Sequence, residues 1–259
     1  SEEKYCAFFA GNGATAGFNR MATSLSKIRP ERNLVLVSEM EHHSNDLPHR
    51  EHSSQVIHIP CMGEFESYGG FSMDCLQERI QKYGEKINYV AVTGASNVTG
   101  TITPLEEVAK LVHSVGAYTI IDASQMIAHA PVCMDDADLD VLVFSGHKIY
   151  APGSPGVVIA KKTILNAISP SELGGGMVDD VSLAEYVPTN NLPDREEAGT
   201  PNIVGAITLG AALDLLIRVG MDTIRKKEIG LIDYTWNNLT LIDGVTVYGP
   251  NPAEIPRTG

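Results

Sequence analysis

Tyr118-Thr119-Ile120-Ile121-Asp122 and Val141-Leu142-Val143-Phe144-Ser145 are two short apolar runs, each ending on a polar residue. The second leads directly into Gly146-His147-Lys148. A strand that is apolar on both faces reads as one buried inside a parallel sheet, not as a half-exposed ribbon. Runs of the same kind occur at Tyr5–Ala10, Leu34–Val37, Val56–Ile59, Ile87–Val92 and Gly156–Ala160. Helical spacing fills the gaps at Thr15–Ile28, Met73–Tyr83 and Pro104–Val115. Pro104 sits near the first turn of its helix, where a missing N–H costs little. This alternation predicts an α/β fold with a mainly parallel sheet and helices on both faces. Beyond Lys162 the pattern changes. Leu173–Arg195 is rich in Gly, Asp and Pro and reads as a long loop, a type of segment that is often functional. Val204–Val219 and Met221–Leu239 read as helices, and Val245–Tyr248 as a strand. Residues 1–240 are expected to form a large domain, with 241–259 beginning a small C-terminal α+β domain.

A chain of 259 residues is long enough for one large α/β domain. Its formal net charge is −13, which repels phosphate backbones and argues against nucleic-acid binding. Any bound phosphate group therefore needs a dedicated local site. No stretch approaches the ~20 apolar residues of a membrane helix, and the opening residues SEEKYCAFFAG do not read as a signal peptide. Cys6, Cys61, Cys75 and Cys133 are widely spaced and form no CxxC pair, so no metal site is expected and a reducing cytoplasm fits.

Ligands of open α/β sheets gather at the carboxyl ends of the strands, and several polar residues fall there. Gly11-Asn12-Gly13-Ala14-Thr15 joins a strand to a helix. It reads either as a phosphate cup at the helix N-terminus or as a tight turn capped by Thr15. No GxGxxG or GxxxxGK[ST] pattern is present, which removes the main support for dinucleotide or nucleoside-triphosphate binding and for an oxidoreductase. Asp122 is either a structural cap or a carboxylate partner for a protonated ring nitrogen, since an unpaired carboxylate in an interior strand is costly. Lys148 is either a solvated surface lysine or an amine kept partly out of water. In that second case its neutral form can condense with an aldehyde. His42-His43 reads as a polar loop or cap, or as an imidazole stacked on an aromatic ring.

At these residues the chain resembles the class V aminotransferases of pyridoxal-phosphate (PLP) fold type I, and within them the cysteine desulfurase and selenocysteine lyase group. Ser145-Gly146-His147-Lys148-Ile149-Tyr150 is similar to the family's lysine motif, which puts Lys148 at the Schiff-base position. Ile121-Asp122-Ala123-Ser124-Gln125 is similar to the segment holding the ring-nitrogen aspartate and a glutamine near the ring hydroxyl. Gly13-Ala14-Thr15 resembles the phosphate turn, and Glu41-His42-His43-Ser44-Asn45 resembles the segment whose histidine, here His42, stacks on the ring. Ser96-Asn97-Val98-Thr99-Gly100 is similar to the segment with an asparagine, here Asn97, near cofactor and substrate. The resemblance also implies phosphate contacts from Ser145 and His147. Glu197-Ala198-Gly199-Thr200-Pro201 resembles the motif by which Thr200 would reach the phosphate of a second subunit.

The resemblance implies pyridoxal 5'-phosphate as cofactor, a small amino acid as substrate, a cytoplasmic homodimer and a sulfur-acceptor protein as partner. Lys148, Asp122 and His42 would be the catalytic residues of a cysteine desulfurase-like enzyme that cleaves a C–S bond and transfers sulfur. A class V aminotransferase, a Cβ-eliminating lyase and a non-catalytic homologue are the alternatives on the same scaffold. Family chains are longer, and the expected departures are a segment before the phosphate turn and most of the small domain. That domain carries the substrate-binding arginine and the sulfur-receiving cysteine. None of the four cysteines falls at that cysteine's position, and all read as small buried hydrophobes or inert thiols.

Overall fold

The apolar runs pair into one seven-stranded sheet in the computed structural model, which describes residues 1–259. In chain order, β1 (Tyr5–Ala10), α1 (Gly13–Ile28), β2 (Leu34–Ser38), α2 (Leu47–His52) and β3 (Gln55–Ile59) come first. A small ribbon of β4 (Cys61–Met62) and β5 (Gly70–Phe71) follows, then α3 (Met73–Tyr83), β6 (Ile87–Thr93), α4 (Leu105–His113) and β7 (Tyr118–Asp122). The sheet is completed by β8 (Val141–Ser145) and β9 (Gly156–Lys161), after which α5 (Lys162–Ala167) begins the C-terminal portion. The strand order is β1-β9-β8-β7-β6-β2-β3. All neighbours from β8 to β3 are parallel, whereas β9 runs antiparallel to both β8 and β1. Six strands therefore point one way and their carboxyl ends share one edge, as the mainly parallel expectation requires.

The two faces are buried for the reason read from the sequence. Side chains alternate along a strand. Val90, Val92, Ile121 and Leu142 join α3 and α4 on one side, while Val35, Ala91, Ile120 and Val143 meet Phe18, Met21 and Leu25 of α1 on the other. Full burial of a side chain such as Phe18 contributes about 1.5–3 kcal/mol. Gly17 lets α1 approach the sheet closely, since a Cβ there would lie 2.7 Å from Val143 and 2.8 Å from Val158.

The C-terminal portion corrects two expectations. Leu173–Arg195 is not a plain loop but contains a hairpin of β10 (Val178–Val181) and β11 (Tyr186–Pro188), closed by a turn in which Ser182 Oγ accepts the Ala184 and Glu185 N–H groups. Val245–Tyr248 is not a strand. It alternates like one, but no neighbouring backbone pairs with it, and Gly249 N–H instead donates to Glu66 O at 2.6 Å. The expected helices form as α6 (Ile203–Val219) and α7 (Met221–Leu239). Neither is by itself long and apolar enough to cross a membrane. No residue of α7 is buried, and His129 Nδ1 holds that helix through Glu228 Oε1 at 2.6 Å. Residues 256–258 lie against the loop after β6. Thr258 N–H donates to Gly100 O at 2.7 Å, Arg257 Nε to Thr99 O at 2.6 Å and Ile102 N–H to Pro256 O at 2.8 Å.

Candidate active site

The first functional turn follows β1. Gly13 has φ +64°, in the left-handed region that favours glycine. A Cβ at Gly13 would sit 2.8 Å from Ser145 Oγ, and a Cβ at Gly156 would overlap the Gly13 carbonyl. Both positions are glycine because the turn is pressed between β8 and β9. Ala14 N–H donates to Ser145 Oγ at 2.7 Å. The first turn of α1 holds no acidic residue, and Asn12 makes no side-chain cap. The positive potential of the helix N-terminus is thus not countered by its own side chains. A Gly13→Ala variant is expected to lose about 1–2 kcal/mol of stability from the left-handed conformation and to bind inorganic phosphate more weakly. Urea unfolding and calorimetric titration check the two effects; unchanged values for both would mean that the turn is not built this way.

The end of β2 supplies the second group. Glu41 keeps partial exposure as a residue, yet both its carboxyl oxygens are engaged. Oε1 accepts from Thr93 N–H at 2.7 Å and from the Ser38 hydroxyl, and Oε2 accepts from Asn45 Nδ2 at 2.5 Å. Burial pushes this carboxyl up to about 8 against the pull of the Ser38 and Asn45 hydrogen bonds, and nearby Asp122 adds to the rise. Asn45 Oδ1 lies 2.9 Å from His49 Nε2, and His49 Nδ1 lies 3.0 Å from Tyr89 OH. His49 is fully buried, and loss of hydration lowers it to about 4, so it serves as a neutral link. This chain of buried polar groups anchors the segment that carries His42. His42 itself is exposed, and its Nδ1 accepts the Ser44 N–H at 3.2 Å. The capping reading therefore holds for its ring, which also borders the cavity described next.

Asp122 closes β7 and is 5% exposed. Its Oδ1 accepts the Ser124 N–H at 2.8 Å. Burial raises the Asp122 carboxyl above its ordinary value, while the hydrogen bond from the Ser124 backbone N–H and the charge of Lys148 oppose the rise. After β8, Gly146–Ile149 forms one short turn carrying His147 and Lys148. Tyr150 follows at φ +68°, an uncommon conformation for an aromatic residue, and reverses the chain. Gly146 is then covered by Ser154, whose hydroxyl a Cβ at Gly146 would strike. Lys148 is half-buried, less enclosed than the apolar flanks of its motif suggest.

These elements enclose a cavity of about 620 Å³. It brings together Ala14, Thr15, His42, Asp122, Ser145, His147 and Lys148, all singled out in the sequence. Ser44, Ser124, Ser154 and Asn202 also line it, and sequence reasoning gave them no role. Ser44 and Ser124 fall inside two of the segments quoted above, whereas Ser154 and Asn202, the latter capping α6, carry no signal of their own. Asn97, Gln125 and Thr200 are not among its walls. Asn97 is exposed on the loop after β6, and Gln125 is half-buried beyond Asp122. Thr200 is exposed and lines an adjoining hollow of about 340 Å³ that shares Gly11, Asn12 and Asn202 with the main cavity.

The chemistry of this lining is that of an anion site next to an amine. Ser124 Oγ and Ser154 Oγ are buried without a hydrogen-bond partner, a costly state that a ligand oxygen relieves. Together with the free end of α1 and the glycine cradle they fit a phosphate-bearing group. A half-buried lysine amine and a buried carboxyl stand on the same cavity.

The Aminotransferase class-V family profile matches residues 8–258. A cysteine desulfurase of Pectobacterium atrosepticum is 37% identical over 244 residues, covering 92% of this chain and 58% of that protein. The crystal structure of a cysteine desulfurase from Escherichia coli, in its S-sulfonic acid form, superposes with a TM-score of 0.83 at 29% identity, over 94% of this chain and 60% of that one. The apo cysteine desulfurase of Thermococcus onnurineus gives a TM-score of 0.81 at 29% identity, over 94% of this chain and 62% of that one. The chain thus spans about three fifths of the length of these proteins.

Proposed function

Because the chain belongs to the class V aminotransferase family, we propose that it holds pyridoxal 5'-phosphate and serves in cleaving the C–S bond of a small amino acid, cysteine first among them. The observation that carries this reading is the meeting of Lys148, Asp122 and the α1 turn on one cavity. The similarity to cysteine desulfurases favours sulfur chemistry over the aminotransferase and lyase alternatives.

When bound, the cofactor supplies an electron sink for negative charge at the substrate Cα. Lys148 would hold its aldehyde carbon covalently and, once displaced by the substrate amine, carry a proton at Cα. Asp122 would keep the ring nitrogen protonated, a role suited to a carboxylate whose Oδ2 takes no hydrogen bond from the chain. His42 would fix one face of the ring. The Ala14–Thr15 turn, Ser145 and His147 would grip the phosphate, with Ser124 and Ser154 as further hydroxyls on the cavity wall. Gln125 and Asn97 would act at the ring oxygen and near the substrate, as the family resemblance implies.

A homodimer belongs to the same proposal, with Thr200 reaching the second subunit's phosphate. Large apolar side chains on α6 stay exposed, among them Val204, Ile207 and Ile217, and such a face suits a second copy. A sulfur-acceptor protein and a cytoplasmic setting complete the reading; the unpaired Cys6, Cys61, Cys75 and Cys133 agree with a reducing compartment. The deciding experiment incubates the complete gene product with the cofactor and L-cysteine, with light scattering on the same sample. Alanine with protein-bound persulfide sulfur, freed as sulfide once a thiol reductant is added, formed by a dimer, is the expected result. Pyruvate with ammonia, or a keto acid with the amino form of the cofactor, would replace the desulfurase assignment by one of its alternatives.

A further inference from the structure

Ser44 Oγ stands between two groups of the cavity that belong to different elements. It lies 2.7 Å from Thr15 Oγ1 in the first turn of α1 and 3.0 Å from His42 Nδ1. The Ser44 backbone N–H also points to His42 Nδ1, at 3.2 Å. A backbone N–H can only donate, so Nδ1 is the ring nitrogen without a proton, and the ring proton sits on Nε2. Ser44 is itself well placed. It is half-buried, and the next residue, Asn45, is fully buried in the chain that runs through His49 to Tyr89.

Two hydroxyl protons are available to this row, one on Ser44 and one on Thr15. With nothing on the α1 turn, Thr15 donates to Ser44 Oγ and Ser44 donates to His42 Nδ1, and every group is satisfied. A phosphate monoester dianion on the turn offers only acceptor oxygens, as do the unprotonated oxygens of inorganic phosphate. Thr15 then turns its proton to the phosphate, which leaves two hydroxyl oxygens 2.7 Å apart with no proton between them. The contact survives only when Ser44 swings its own proton to Thr15. His42 Nδ1 then keeps the backbone N–H alone.

We propose that Ser44 is a positioning residue that couples occupancy of the phosphate turn to the His42 ring, releasing one of the two hydrogen bonds on Nδ1 when the turn is filled. The proposal rests on reading the Gly13–Thr15 turn as a phosphate site. It assigns Ser44 more than a cap, because the cap belongs to its backbone N–H and survives removal of the hydroxyl.

Nuclear magnetic resonance of the cofactor-free protein, titrated with inorganic phosphate, tests it without turnover. Long-range ¹H–¹⁵N spectra follow the histidine rings, His42 being identified by the signal lost in His42→Gln. The Ala14 and Thr15 amides report whether the turn is filled. In the wild type, the His42 Nδ1 resonance is expected to move to higher frequency, toward that of a less hydrogen-bonded nitrogen, in step with those amides. In Ser44→Ala the Nδ1 signal should start near that position and stay there while the amides still respond; Ser44→Thr should restore the coupled shift. Amide shifts with an unmoved wild-type His42, or an unchanged ring response in Ser44→Ala, overturn the coupling. If the amides never shift, the phosphate reading fails, and the coupling fails with it.

Discussion

Replacement of Lys148 by alanine is expected to remove the cofactor's covalent attachment and to lower turnover by roughly a thousand-fold or more, because the proposed function makes the same amine both nucleophile and proton carrier. Visible absorbance after addition of pyridoxal phosphate, borohydride trapping and peptide mapping check the attachment, and alanine release checks the rate. Lys148 is half-buried on a short turn, so loss of its side chain leaves the core intact. Lys110→Ala, on the exposed side of α4, is the control and should leave both readouts unchanged. Borohydride-stable attachment surviving in Lys148→Ala would place the tether on another residue and remove the centre of the proposed mechanism.

Asp122→Asn is expected to act in opposite directions on stability and activity. In the cofactor-free protein the Asp122 carboxyl is raised above its ordinary value, mainly by burial. Between the unfolded and folded values the folded state keeps a proton that the unfolded state has released. Stability is therefore lost as the pH rises from the usual carboxylate range through the folded value. Asparagine preserves the acceptor that meets the Ser124 N–H and removes the ionisation. The variant should melt higher than the wild type near neutral pH when no cofactor is present. With cofactor and substrate it should turn over on the order of 100- to 1000-fold more slowly, since a charge placed to stabilise the reacting state is typically worth that factor. Thermal melts over a pH series and single-turnover rates provide the two readouts. A rate close to wild type would show that Asp122 is only a structural carboxyl. This opposition is the usual cost of placing a functional charge in a core.

Much of this was legible in the sequence because two physical patterns are strong. Continuous apolar runs gave the strands, and a sheet buried on both faces left polar residues only at their ends. Asp122, Ser145 and Lys148 stood out for that reason, and the structure brings them to one cavity. The hairpin Val178–Val181/Tyr186–Pro188 escaped notice because Asp179 and Asp180 interrupt any apolar alternation, so backbone pairing and the Ser182 turn define it. Val245–Tyr248 misled in the opposite sense. Alternation shows that a segment suits a strand, but pairing needs an edge within reach. Ser44, Ser124 and Ser154 could not be given a role from sequence. Serine is common in turns and caps, and only the fold shows which hydroxyls meet across elements or remain without a partner. Asn97 and Thr200 were named through family resemblance, and both lie on exposed loops whose placement no local periodicity determines.

The reversal of β9 also bears on how the molecule is built over time. β1 is an edge strand whose only sheet partner is Gly156–Lys161, about 150 residues later in synthesis. Pairing across such a separation is slow, because a very large loop must close before any contact rewards it. On the ribosome, Tyr5–Ala10 emerges well before Gly156–Lys161 and must wait for it. The Gly13–Thr15 turn it feeds takes its final shape only once β8 and β9 are in place, so the phosphate binding proposed for that turn waits on this pairing.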